Sequence, residues 1–271
     1  MRSVADIFRK QIVRAILPLA LLLLPSCRPA GEATLEEISE RRYRVDPNAT
    51  TISVTNRDGS IRIYGAGGDL REVQVEAVKK AYTPERLKQI KVQVTQRDNS
   101  ISIETTYSAE ATGPFSDRSG TVDYVIVVPQ AATISKLELG NGEILIEEMR
   151  SKEAHAQLGT GRLFIHNCFG SVDAHVETGN VALVYEWWEE SDFAIRGTVE
   201  DGNAFAFLPE DAAFHLIAAT TTGKIANDFE EKEQRGPESP KQIDLLVGGA
   251  EQPKIQIETH DGNIRIAEHN P

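Results

Sequence analysis

The sequence predicts an all-β fold, a repeat β-solenoid of the parallel β-helix type with an N-terminal β cap, and three observations predict it. One phrase recurs along the chain: a turn residue, Gly, any residue, apolar, any residue, apolar. It reads DGSIRI at 58–63, NGEILI at 141–146, TGRLFI at 160–165 and TGNVAL at 178–183, then DGNAFA at 201–206, TGKIAN at 222–227 and DGNIRI at 261–266. The spacing is regular: Gly142, Gly161, Gly179, Gly202 and Gly223 step by 19, 18, 23 and 21 residues, with 39 more to Gly262. A period near 20 sustained over this length is the mark of a repeat architecture. The segments between the turns alternate apolar and polar, as strands with one buried and one wet face do, and helical periodicity is confined to PERLKQIK at 84–91.

Each period holds two short strands. The first follows the Gly (Ile144/Ile146, Leu163/Ile165). The second precedes the next turn (Ala154/Ala156/Leu158, Val172/Ala174/Val176). Two arrangements satisfy this pattern: parallel stacking of successive coils, or an antiparallel β-sandwich in which each Asn-Gly or Asp-Gly is a hairpin turn. Matched positions favour the solenoid. The residue before the Gly is Asn141, Thr160, Thr178, Asp201, Thr222 or Asp261, and the second residue after it is Ile144, Leu163, Val181, Ala204, Ile225 or Ile264. Parallel stacking gathers each set into a column of like residues. Gly59, Gly142, Gly161, Gly179, Gly202, Gly223 and Gly262 then supply the positive φ of a tight corner. The solenoid is assigned to 131–271. Residues 43–130 form an N-terminal β region with longer, hairpin-like strands and weaker copies of the phrase at DNSISI (98–103) and SGTVDY (119–124). It is expected to cap the open strand edges, with antiparallel pairing one option.

The N-terminus reads as an address. Four basic side chains between Arg2 and Arg14 precede the 11-residue apolar run AILPLALLLLP at 15–25, too short to span a bilayer and of signal-peptide length. It ends in Leu24-Pro25-Ser26-Cys27, which resembles a bacterial lipobox with Pro25 as its unusual member. The expectation is a lipoprotein-type signal over 1–27, a mature chain starting at a lipidated Cys27, and a polar tether over 28–42. Residue 28 is Arg, not the Asp that resembles an inner-membrane retention signal. The protein is therefore expected in the bacterial cell envelope, anchored to a membrane by lipid, the outer membrane if the host has one.

Charge excludes one class of partner. Without the four basic and one acidic side chains of residues 1–27, the chain keeps 25 basic and 40 acidic groups, near −15. Such a surface repels phosphate backbones, so no nucleic-acid partner is expected.

The run TISVTNRDGSIRIYG, followed by VDYVIVVP and then LELGNGEILIEE, resembles in that order a bacterial family of unknown function with β-strand repeats. That family carries the label "putative adhesin" and is related to head-domain "putative auto-transporter adhesins". The resemblance spans roughly 43–266 and implies a fold; it assigns no functional residue.

No catalytic constellation stands out. His155, His166, His175 and Cys168 fall within about one coil, but His155 aligns with Asp173 and His175 with Gln157, so they occupy different columns. Neither a metal site nor a cofactor is expected, and Cys168 reads as a partly buried free thiol. The segment YEWWEE at 185–190 holds both tryptophans where the period swells to 23 residues. Tyr185, Trp187 and Trp188 are the candidate contacts to an envelope protein or glycan, against the plainer reading that their rings cover a solenoid edge. The expected function is non-enzymatic: a binding or scaffolding surface. The alternatives are a polysaccharide-active enzyme on a β-helix and a self-assembling structural protein.

Overall fold

The computed structural model describes residues 34–68, 70–108, 119–229 and 240–269. Residues 34–271 make one compact unit. The signal, Cys27 and the first part of the tether lie outside the described residues. The rest of the tether, from Leu35, is not a tether: Leu35–Arg44 is strand β1. It pairs antiparallel with β3 from Leu35↔Ala81 to Arg44↔Glu72. Its charges hid it from sequence reasoning. Glu36, Glu37, Glu40, Arg41, Arg42 and Arg44 are the guards that keep an edge strand from recruiting another chain.

Chain order continues through β2 (Thr51–Ala66), β3 (Glu72–Ala81), α1 (Pro84–Gln89), β4 (Ile90–Arg97), β5 (Ser100–Tyr107) and β6 (Thr121–Pro129). The repeats follow as β7 (Thr133–Glu147), β8 (Ala154–His166), β9 (Val172–Val184) and β10 (Ala194–Pro209). The chain ends in β11 (Phe214–Thr220), β12 (Ile225–Asn227), β13 (Gln242–Val247), β14 (Lys254–Asp261) and β15 (Ile264–His269). The helix forms where the 3.6-residue pattern predicts it. Thr83 caps its first turn by accepting from the Arg86 N–H, and Pro84 starts it.

Successive repeats pair in parallel and in register: β7 with β8, β8 with β9, β9 with β10. The antiparallel sandwich is thereby excluded for the repeats. Each long strand bends at its glycine, and burial shows how. In β8, Ala154, Ala156 and Leu158 are buried, then Leu163 and Ile165. The five-residue step from 158 to 163 reverses the parity. A straight strand would send the second set to the opposite face. The bend at Gly161, with φ +138°, returns it to the same interior. The two halves of every strand thus belong to two sheets that share one aliphatic core. We call the half before the glycine the first sheet and the half after it the second.

The core is built of columns. Ile61, Ile144, Leu163, Val181 and Ala204 stand in successive registers and all are buried. Gly197 occupies a core position in the first sheet, and a Cβ there would lie 3.3 Å from the Val181 Cγ1. The missing side chain makes room for valine.

Two features depart from the expectation. The coils do not stack in chain order: β14 and β15 insert beside β10, and β11 and β12 lie beyond them. The spatial order is therefore Gly202, Gly262, Gly223. The 39-residue step leaves enough chain to run out through β11–β13 and return. Gly223 also does not share the positive φ of the other six corner glycines. It lies at the outer coil, where β12 has only three residues, and it remains a glycine because a Cβ there would meet the Gly262 carbonyl oxygen at 1.7 Å.

The N-terminal region mixes both pairing modes. β2 is a full coil that pairs in parallel with β7 on one side and with β5 and β6 on the other. Antiparallel strands begin only outside this coil, β4 on β5 and β3 on β6. At the other end β13 closes antiparallel on β11.

Candidate binding surfaces

The swollen corner is mainly a plug. Tyr185 is fully buried, donates its hydroxyl hydrogen to the Cys168 carbonyl at 2.5 Å, and has its phenol held well above the usual value by burial. It cannot reach a partner, which corrects its place among the candidate contacts. Trp188 is half-buried. Its indole N–H donates to the Ala213 carbonyl at 3.1 Å, and its ring packs on Tyr185, Phe193 and Phe214. Only Trp187 is exposed, at 40%, and its N–H is engaged with Glu189 at 3.0 Å. Arg150 clamps Glu189 through two hydrogen bonds of 2.5 and 2.6 Å and draws that carboxyl down to about 2. The insertion leaves the strand path because these rings close the third side of the coil between the two sheets.

The other sequence candidates stay apart. Cys168 is fully rather than partly buried, and burial pushes its thiol up to about 12, which keeps it protonated and a poor nucleophile. His155 aligns with Asp173 and His175 with Gln157, while His166 sits 3.1 Å from Glu147. Among the described residues no three His, Cys, Asp or Glu side chains are placed to hold a metal ion.

The two outer faces differ sharply in chemistry. On the first sheet, outward positions are polar: Glu138, Gln157, His175 and Thr198 form one row across four coils. Beside it Gly140 and Gly159 carry no side chain. Together with Glu138, Gln157, His175, Asn141, Thr160 and Glu177 these glycines line an open trough of ≈ 560 Å³. Across the glycine corner an asparagine ladder runs along the stack. The Asn180, Asn203 and Asn263 side-chain oxygens accept from the next coil's backbone N–H at 3.2, 3.1 and 3.0 Å. This satisfies the backbone N–H groups of Asn203, Asn263 and Lys224 at those bends.

On the second sheet the outward row is Arg62, Leu145, Phe164, Ala182, Phe205 and Arg265. Val184 and Phe207 stand next to it, and the Phe205 and Phe207 rings lie 6.3 Å apart with nearly parallel planes. Sequence reasoning missed this surface. Its signal was present in the "any residue" slot of the phrase, which reads I-L-I, L-F-I, V-A-L and A-F-A over four consecutive coils.

A family model described as Toastrack DUF4097 matches residues 42–267. Among solved structures, a "putative cell adhesion protein" from Clostridium sporogenes is 15% identical. The match covers 86% of this chain and 100% of that one, at a TM-score of 0.52. A "putative adhesin" from Bacteroides fragilis is 14% identical over 85% of this chain and 97% of that one, at a TM-score of 0.33. The first likeness is one of fold. No curated protein matches the chain at a significant level.

Proposed function

This chain belongs to the Toastrack DUF4097 family, and from that premise we propose that it is a non-catalytic, exported envelope protein that binds a glycan or an envelope protein through the outer face of its first sheet. The trough beside Gln157 and His175 carries the reading. It is open, lined by amide, imidazole, hydroxyl and carboxylate groups and by glycine backbone. These groups hydrogen-bond well to a hydroxyl- or amide-rich chain laid across rigid strands. A solved structure of like fold, described as a "putative cell adhesion protein", is consistent with it. The swollen corner is the poorer site, because two of its three aromatic rings are spent on the core.

Two experiments test this reading. The purified chain without its signal is applied to glycan arrays and to immobilised envelope fractions. Capture is expected to fall at least about tenfold in Gln157→Ala/His175→Ala, the loss of roughly 1.4 kcal/mol or more of binding energy. Trp187→Ala is expected to leave it unchanged. Loss in Trp187→Ala alone would move the site to the corner and reject the trough; turnover of a bound polysaccharide would reject the non-catalytic reading.

Anchoring is tested separately. Mass spectrometry of the mature N-terminus is expected to find a lipid-modified Cys27, and Cys27→Ser to leave the chain unprocessed or released from the membrane. An unmodified mature chain starting at any other residue contradicts the anchor.

A further inference from the structure

We propose that the outer face of the second sheet is the surface on which two copies of this chain pack against each other. The inference is independent of the trough, which lies on the other outer face and stays open in such a pair.

The first argument is composition. Leu145, Phe164 and Phe205 lie half-buried on the outer face, with Val184 and Phe207 beside them; the small Ala182 stands in the same row and is covered by its larger neighbours. The equivalent outward row of the first sheet is Glu138, Gln157, His175 and Thr198. Both rows sit on the same rigid strands, so neither strand-forming preference nor core packing accounts for the difference. A contiguous apolar patch with a charged border marks an interaction site.

The second argument is size. Ten strands contribute to this sheet, in the order β1, β3, β6, β2, β7, β8, β9, β10, β15, β12. At ~4.8 Å between strands and about five residues of ~3.3 Å along each, the face covers on the order of 700 Å². A stable pair of proteins buries about 800 Å² on each partner. The apolar residues occupy the middle of this area. The Glu and Arg side chains of β1 lie at one end and Arg265 toward the other, which is the core-and-rim layout of an interface.

The third argument is charge. The chain carries −12 overall, so two copies repel each other wherever carboxylates dominate. From β2 to β15 the central row holds no carboxylate, and its charges are Arg62 and Arg265; its carboxylates, Glu76 and Glu40, come only on β3 and β1, at the rim. The adjacent row holds Glu147. A twofold axis running along the stack lays each row over the other row of the second copy. That sets Phe205 against Phe207 and brings Arg62 alongside Glu147 of the second copy, twice over. Regular sheets stack face to face in this manner about 10 Å apart.

The test is sedimentation equilibrium on residues 28–271 at tens of micromolar, with phospholipid vesicle flotation in parallel. The wild type is expected to be a dimer that does not float. Phe164→Glu and Phe205→Glu place a carboxylate in the middle of the face without touching the core. Each is expected to weaken dimerisation at least about 100-fold, while circular dichroism and thermal unfolding match the wild type. Phe205→Ser, a milder change, is expected to weaken it less. A monomeric wild type overturns the proposal. So does a dimer that persists in both Glu variants, which places the contact elsewhere, and so does a monomer whose Phe164 and Phe205 face binds vesicles instead.

Discussion

Gly161→Ala is expected to abolish the native stack or destabilise it by more than about 4 kcal/mol. Two costs combine. Gly161 has φ +138°, a conformation that strains any residue with a Cβ by about 1–3 kcal/mol. The added carbon would also lie 1.9 Å from the Gly142 carbonyl oxygen, inside any van der Waals contact. That oxygen belongs to the backbone of the neighbouring coil, so it cannot swing aside as a side chain would. Relief requires the coils to separate, and Gly179 would lose its register with Gly161 as well. A domain with about 5–15 kcal/mol of total stability absorbs little of this. Urea unfolding of Gly161→Ala against Thr160→Ala measures it. The exposed Thr160 change is expected to cost under about 0.5 kcal/mol. A Gly161→Ala variant within 1 kcal/mol of wild type would mean the corner is looser than described.

Val181→Asp is expected to cost about 3–5 kcal/mol at neutral pH. Val181 is fully buried between Leu163 and Ala204 in its column, against the gap left by Gly197. None of these neighbours offers a positive charge. A carboxylate there ionises at large cost or stays protonated, so the loss should shrink as pH falls. The sign follows from the pKa: burial raises the folded-state value above the unfolded one, and the penalty is present above the unfolded value and fades below it. Val184→Asp, three residues along, on the outer face and only half-buried, is the control. Equal penalties at 181 and 184 would show that the parity assigned to this strand is wrong.

Much of the fold was legible because it is written in spacing. The recurrent glycine and the apolar residues two and four places after it were enough to place Ile144, Leu163, Val181 and Ala204 in one column. The alignment of His155 with Asp173 followed from the same count. Three things were not legible. β1 is a strand by virtue of its partner β3, and its charged sequence contains no buried alternation to betray it. The insertion of β14 and β15 between β10 and the β11–β12 coil is a long-range choice that period counting cannot see, since the phrase DGNIRI fits any slot in the stack. The burial of Tyr185 depends on Phe169 and Phe193 converging from other coils, which a local reading of YEWWEE cannot supply. The apolar outer row was a matter of emphasis: the slot treated as neutral carried the information, because alternation was read for what it buries and not for what it leaves outside.

Everything above depends on in-register parallel coils, because that register defines both columns and both outer faces. Interstrand nuclear Overhauser effects among the corner glycines of isotope-labelled protein test it most directly. The account predicts a continuous ladder of cross-peaks linking Gly59 to Gly142, Gly142 to Gly161, Gly161 to Gly179, Gly179 to Gly202 and Gly202 to Gly262. Cross-peaks joining Gly202 to Gly223 in place of Gly262, or an antiparallel pattern between the strands around Gly161 and Gly179, would contradict it.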